Sequence, residues 1–227
     1  MKTPQTLPDR LLSSWTVNAE PWTQAVRNGL IPSRAAGTDA AIVEAVVRGL
    51  PPNGRVLDVG CGEGWLSRAL VALGARTHGV DASVPLIEAA CDAGGSFEVV
   101  SYDDIAGDPT ALGGPYDVAV FNFALLSDKV FGVLRGATDQ LAPCGRVIIQ
   151  TVHPLSIGAP YTDGWREETF EFADVDLEPM PWYARTFGTW VRTLDAVGLQ
   201  LREVTEPTHP DTGAALSLIL TAEPLTF

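Results

Sequence analysis

Positive charge is scarce in this chain of 227 residues: 15 lysines and arginines stand against 28 aspartates and glutamates, a formal net charge of −13. No basic patch is available to release counterions from a nucleic-acid backbone, so nucleic acid is not expected as a partner. Cysteine is also sparse. Cys61, Cys91 and Cys144 are odd in number and scattered, which gives neither a disulfide framework nor a zinc site and suits a reducing cytosol. No apolar run is long enough to span a bilayer, and residues 1–10 are polar and proline-containing, without the apolar centre of a signal peptide. The expectation is a cytoplasmic protein with no membrane contact and no metal. Internal repeats and low-complexity tracts are absent, and the length suits a single domain.

What the chain does carry is Val56-Leu57-Asp58-Val59-Gly60-Cys61-Gly62-Glu63-Gly64. A short apolar strand (residues 55–59) runs into three glycines at alternate positions. A helix pattern follows, with Leu66, Ala69, Leu70 and Leu73 on one face and Gly74 at its end. Strand, glycine turn and helix together present backbone N–H groups and a positive helix end to a nucleotide-like ligand. A dinucleotide site would need G-x-G-x-x-G and a P-loop G-x-x-x-x-G-K-[ST]. Here the third glycine comes one position early, Trp65 fills the slot it would need, and no lysine follows. Asp58 would repel a pyrophosphate but suits a ligand with an ammonium group.

The run resembles the first motif, D-x-G-x-G-x-G, of the class I S-adenosylmethionine-dependent methyltransferases. That resemblance implies a Rossmann-like, doubly wound α/β sheet of seven strands whose last strand is antiparallel, with S-adenosylmethionine as cofactor and S-adenosylhomocysteine as product. Asp58, Gly60, Cys61 and Gly62 would then line the cofactor. Asp81, at the end of a second strand (residues 75–80) and roughly 20 residues beyond the turn, suits a ribose diol, with Ala82 beside it. After a third strand from Phe97 to Val100, Ser101, Tyr102 and Asp103 should face the adenine. The usual acid falls on Ser101 and the usual small residue on Tyr102, so the partner of the adenine amine stays open. A fourth strand (residues 116–121) ends at Asn122 and Phe123, which the resemblance sets beside the methionine part and the transferred methyl.

The remaining chain reads as additions to this sheet. Residues 1–50 form a helical cap, either a lid or packing against the sheet edge; Trp22 and Arg34 are its candidates for cofactor contact. Residues 51–152 form the cofactor half, with a helix over 128–141 and a fifth strand over 146–152. Residues 153–181 break the α/β alternation and are too rich in aromatics for a disordered linker. They read as an acidic, substrate-binding insertion, with Asp163, Glu167, Glu168, Glu171, Asp174, Asp176 and Glu178 set against Arg166. Its candidate substrate groups are Tyr161, Trp165 and Arg166. Tyr183 joins them from the start of residues 182–227, where Tyr183, Phe187, Trp190, Leu194 and Val197 form a helical stripe before two last strands. Methyl transfer needs the nucleophile, methyl and sulfur held in line with water excluded. His153, at the end of a central strand, is the candidate general base if an oxygen nucleophile requires one. The activity expected is methyl transfer to a small-molecule acceptor. A nucleotide-dependent oxidoreductase and a non-catalytic cofactor-binding protein are the alternatives.

Overall fold

The computed structural model describes residues 6–172 and 175–225. Helices α1 (Leu7–Val17), α2 (Ala19–Arg27) and α3 (Asp39–Val47) come first, with a single π-helical turn over Arg34–Thr38. Then β1 (Arg55–Val59), α4 (Trp65–Ala72), β2 (Arg76–Asp81), α5 (Val84–Asp92), β3 (Phe97–Val99), α6 (Tyr102–Gly107), β4 (Tyr116–Asn122), α7 (Phe131–Asp139) and β5 (Leu141–Thr151) alternate. The insertion contributes β6 (Gly164–Glu168), β7 (Glu171–Phe172), β8 (Val175–Asp176) and β9 (Met180–Ala184). The chain closes with α8 (Phe187–Ala196), β10 (Leu199–Thr205) and β11 (Leu218–Pro224).

Seven strands form one sheet in the order β10-β11-β5-β4-β1-β2-β3. β11 lies antiparallel to both β5 and β10, and the seven-stranded α/β expectation with an antiparallel last strand holds. From β1 the chain winds outward through β2 and β3, then returns to β4 on the other side of β1. The carboxyl ends of β1 and β4 therefore flank the point where strand order reverses, which is where an open α/β sheet binds its ligand.

Alternate residues of each central strand bury on opposite faces, as the period of two requires. Leu57, Val59, Ala119, Phe121, Val147 and Ile149 pack with α7 and α8, while Val56, Val118, Val120 and Ile148 pack with α3 and α4. Local signals place the helix ends. Thr6 and Asp9 close a reciprocal capping box on α1, and the Thr186 hydroxyl caps α8.

Three boundaries differ from the sequence expectation. The fifth strand starts at Leu141, not Arg146, because Leu141 pairs with Tyr116 before the register shifts; Cys144 takes a left-handed φ of +66° there. Helix α7 starts only at Phe131, since Lys129 N–H donates to the Ser127 hydroxyl in a local turn. Tyr183 sits on β9, opposite Trp165 on β6, so it is a strand residue and not part of the α8 stripe. The insertion is β-structured: β6 pairs with β9 and β7 with β8. Asp174 falls outside the described residues.

Cap and insertion pack together as one body. Trp22 meets Trp15 edge-on at 5.1 Å and Phe170 at 5.7 Å, above Val175, Leu177 and Met180. At the joint between α1 and α2, Asn18 Nδ2 donates to the Glu178 carbonyl (3.0 Å), and Glu178 N–H returns a bond to Asn18 Oδ1 (2.8 Å). Among the described residues no helix is long and apolar enough to cross a membrane.

Trp190, fully buried on α8 under the sheet, should carry a large share of this packing. Trp190→Ala should cost about 3–5 kcal/mol, read as a lower urea midpoint at unchanged slope.

Candidate active site

β1 runs out at Val59, and Gly60, Gly62 and Gly64 follow with left-handed φ of +73°, +57° and +83°. The alternation seen in the sequence is therefore a backbone requirement. The N–H groups of Gly60 and Cys61 both donate to the Val80 carbonyl, at 2.7 and 3.1 Å, which fastens the turn to the end of β2. A Cβ on Gly60 would stand 2.4 Å from the Ala124 Cβ. Only glycine leaves the gap between the ends of β1 and β4 unfilled.

Two carboxylates flank this gap. Asp58 is buried near the end of β1, and its Oδ2 accepts from the Ser67 hydroxyl at 2.8 Å. Burial pushes its pKa up to about 7 against the pull of Ser67, and the negative Asp81 adds to the rise. Asp81 accepts from Gly62 N–H at 3.0 Å and Ser83 N–H at 2.8 Å. Burial raises its pKa despite those bonds. Among the described residues no lysine, arginine or histidine bonds to either carboxylate.

Gly60, Gly62, Asp81, Ala82, Ser101, Tyr102, Asn122 and Phe123 are all half-buried, whereas Val59, Val80 and Phe121 just before them are buried. These candidates thus line one crevice along the carboxyl edge of β1, β2 and β4. Asn122 Oδ1 is buried there without a hydrogen-bond partner among the described residues. Phe123 has φ +52°, which is rare for a bulky side chain; its N–H is held by the Gln150 carbonyl at 2.8 Å. The Tyr102 hydroxyl donates to the Ala124 carbonyl at 2.8 Å, and burial keeps that phenol protonated. Cys61 is buried in the turn, and burial holds its thiol well above the ordinary range.

This crevice fits the expected cofactor on its own chemistry. It offers two carboxylates without a cation, a bare glycine cradle and an orphaned amide oxygen. A sulfonium and an ammonium meet the first, and a ribose diol meets the Asp81 end.

Other candidates lie elsewhere or are already engaged. Ser101 caps α6 in a reciprocal box with Asp104, so its hydroxyl is committed; Asp103 is exposed. Trp22 packs in the cap–insertion cluster with Trp15, Phe170 and Phe172. Arg34 lies close to it: the guanidinium stacks 4.2 Å above Trp65, the first residue of α4, and its Nε binds Asp39 at 2.9 Å. His153 is not presented as a free base. Its Nδ1 accepts Leu155 N–H at 3.2 Å, which places the ring proton on Nε2, 2.8 Å from Glu206 Oε1.

On the insertion, the rings of Trp165 and Tyr183 meet edge-on at 5.6 Å. Arg166 binds the Trp165 and Thr162 carbonyls, and the Tyr161 hydroxyl accepts Phe187 N–H at 3.0 Å. Tyr183 N–H donates to the Leu126 carbonyl at 2.8 Å, so the insertion attaches to the loop after β4. The acidity expected of this segment is partly used internally. Glu167 pairs with Arg10 at 2.6 Å, and Asp163 accepts from Thr186 N–H and the Thr189 hydroxyl at the start of α8. Among the described residues no group of three or more His, Cys, Asp or Glu is placed to hold a metal ion.

Three groups escaped the sequence reading. Ser67 supports Asp58, and Glu63 is a buried acid inside the glycine turn. Arg185 is buried with its guanidinium on the Leu125 and Ser127 carbonyls and between the rings of Tyr183 and Trp190. Burial lowers its pKa to about 10. Only Glu63 had a signal, as an acid between two glycines of the motif.

Residues 35–202 match the family described as "Methyltransferase domain". Two curated relatives are ubiquinone biosynthesis O-methyltransferases. That of Ralstonia nicotianae is 31% identical over 106 residues, 44% of this chain and 43% of the relative. That of Cupriavidus pinatubonensis is 28% identical over 103 residues, 44% and 41% respectively. The chain thus spans less than half the length of the curated relatives it matches. Among solved structures, magnesium protoporphyrin IX methyltransferase of Synechocystis PCC 6803, with bound S-adenosylmethionine, is similar at TM-score 0.69. It is 17% identical, over 99% of this chain and all of that one. An S-adenosylmethionine-dependent methyltransferase of Mesorhizobium loti gives TM-score 0.58 at 24% identity, over 79% of this chain and 97% of that one. At these identities the likeness is one of fold.

The pKa of Asp58 makes a stability prediction. A carboxyl whose folded pKa lies above its unfolded value holds its proton more tightly when folded. The Asp58 contribution to stability is then largest below about pH 4 and falls as pH rises to about 7. Asp58→Asn should flatten this slope by on the order of 3 kcal/mol across the window, measured by urea unfolding at pH 4.5 and 7.5. Equal slopes in the two proteins would contradict the assignment.

Proposed function

Because the chain belongs to the methyltransferase domain family, as a class I S-adenosylmethionine-dependent enzyme, we propose that its crevice holds that cofactor and methylates a small molecule with an acidic hydroxyl. The observation that carries the reading is a pair of carboxylates, Asp58 buried and Asp81 half-buried, with no cation bound to either among the described residues, set on either side of a left-handed glycine turn. When bound, S-adenosylmethionine supplies a methyl group made electrophilic by the sulfonium. The protein's part is to bind, orient and exclude water.

The bare glycine turn and Asp58 meet the amino-acid end, and Asp81 accepts the ribose hydroxyls. Asn122 Oδ1, orphaned at the end of β4, accepts a donor from the same ligand, and Phe123 gives the wall beside it. Arg34 is held by Trp65 and Asp39 through its face and Nε, which leaves its terminal nitrogens for the cofactor carboxylate. Trp165 and Tyr183 supply aromatic surface for the acceptor, with Tyr161 and Arg166 at its margin. The net charge of −13 supports a small acceptor over nucleic acid.

An acidic hydroxyl is favoured for two reasons. The curated relatives that match are O-methyltransferases. In addition, His153 has both ring nitrogens engaged, so a nucleophile that ionises readily asks less of the protein than an alcohol would. His153 then acts as a positioning residue that caps the turn over Pro154–Ile157.

Calorimetric titration with S-adenosylhomocysteine, followed by methyl-transfer assays on phenolic, amine and carboxylate acceptors, tests the reading. Binding with transfer to phenols is expected. Transfer to amines alone would overturn the acceptor class, and absence of binding the whole proposal. Asp81→Ala should weaken S-adenosylhomocysteine binding about 100-fold with the fold intact, the loss of two charge-assisted bonds. His153→Asn, which keeps a capping acceptor, should hold turnover within about tenfold; a fall of 10²–10⁴ would mark a general base.

A further inference from the structure

Glu63 is the least expected residue of the glycine turn: an acid at about 1% exposure, one position before the last glycine. Its Oε2 is shared by two arginines from different parts of the fold. Arg68 of α4 reaches it at 2.6 Å and also binds the Glu63 carbonyl at 2.6 Å, so one side chain grips both ends of the residue. Arg27, in the last turn of cap helix α2, reaches the same oxygen through Nε at 3.0 Å. Its Nη2 also donates to the Ala89 carbonyl on α5 at 2.7 Å. Glu63 Oε1 has no partner among the described residues. The carboxylate is therefore tied through one oxygen alone. Arg27 is 42% exposed where Glu63 is buried, so this arm of the tie faces solvent and can release.

The arrangement spans two bodies. On one side is the glycine turn, fastened to the end of β2 through the Val80 carbonyl and Asp81. On the other is the cap, packed with the insertion through Trp22 and Asn18. We propose that Glu63 is a positioning residue whose ion pair with Arg27 couples docking of the cap and insertion to the cofactor-binding shape of the glycine turn. The inference rests on the cofactor reading above. With the turn ordered by cofactor, the carboxylate is fixed where Arg27 meets it and the cap closes. With the cap released, the turn keeps Arg68 but loses its second anchor. Neither arginine touches the crevice in this scheme, yet Arg27 governs how tightly the crevice holds its ligand.

The test compares wild type, Arg27→Ala and Arg27→Lys by calorimetry with S-adenosylhomocysteine and by thermolysin cleavage of the cap with and without saturating ligand. In wild type the ligand should protect the cap. Arg27→Ala should bind about tenfold more weakly, within the usual range of coupling between sites, and its cap should stay sensitive even at saturation. Arg27→Lys, which keeps the charge beside Glu63, should recover most of both. Wild-type affinity in Arg27→Ala, or full protection of its cap at saturation, would overturn the coupling; the latter is what a merely structural role predicts. Absence of binding in wild type would instead overturn the cofactor reading, and the two failures are distinguishable because only the second appears in the unaltered protein.

Discussion

The structure depends on an electrostatic debt at the end of β1. Asp58 is buried near a second, half-buried acid, Asp81, with hydroxyl and backbone donors but, among the described residues, no cation to share the charge. Burying a carboxylate without a counter-ion is among the more unfavourable things a fold can do. The free protein responds by holding the Asp58 proton up to about pH 7. A cationic ligand reverses that balance, because the positive charge favours the ionised forms. A site that is unfavourable when empty and favourable when filled is built for binding, and two acids held this way outweigh any stability they supply.

A second constraint follows from where the acids stand. A crevice at the edge of an open sheet is wet unless something covers it, and in-line transfer benefits from exclusion of water. Here the cover is one body made from two distant stretches of chain. The aromatic cluster around Trp22 and the two-way bond between Asn18 and Glu178 join residues about 160 positions apart. The core is shared between the two stretches: Val175, Leu177 and Met180 bury against Trp15, Trp22 and Leu30 of the cap and Phe170 and Phe172 of the insertion. The cap packs against the insertion through these contacts.

Legibility from sequence tracks the range of the interaction. The D-x-G-x-G-x-G run, the strand pattern and the antiparallel finish are local, governed by backbone sterics and a period of two, and all stand as expected. Asp81 could be placed because a strand, a helix and a strand span a fixed number of residues. Trp22 could not, because an aromatic in an amphipathic helix carries no sign of which neighbour it meets. His153 was placed correctly at a strand end, but its state is decided by Leu155 and by Glu206, 53 positions away. The strands of the insertion were missed because their pairing is short and aromatic packing, not alternation, organises them.

The loop after β4 shows why the remaining irregularities gather in one place. Phe123 adopts a left-handed backbone that costs of order 1–3 kcal/mol, and it is held there by the Gln150 carbonyl. The next residues are pinned from three directions: Tyr102 on the Ala124 carbonyl, Tyr183 on Leu126, and Arg185 on Leu125 and Ser127. Arg185 is itself unusual, a buried cation satisfied by carbonyls and aromatic faces, with Asp163 and Asp128 near enough to favour its charge. A strained residue persists only where its surroundings over-determine it, and these contacts do so from α6, β5 and the insertion together. The same contacts make the loop report on all three. A shift of the insertion pulls on Leu126 through Tyr183 and on Leu125 through Arg185, four and three residues after Asn122. The insertion and the carboxyl end of β4 therefore share a mechanical connection through this loop.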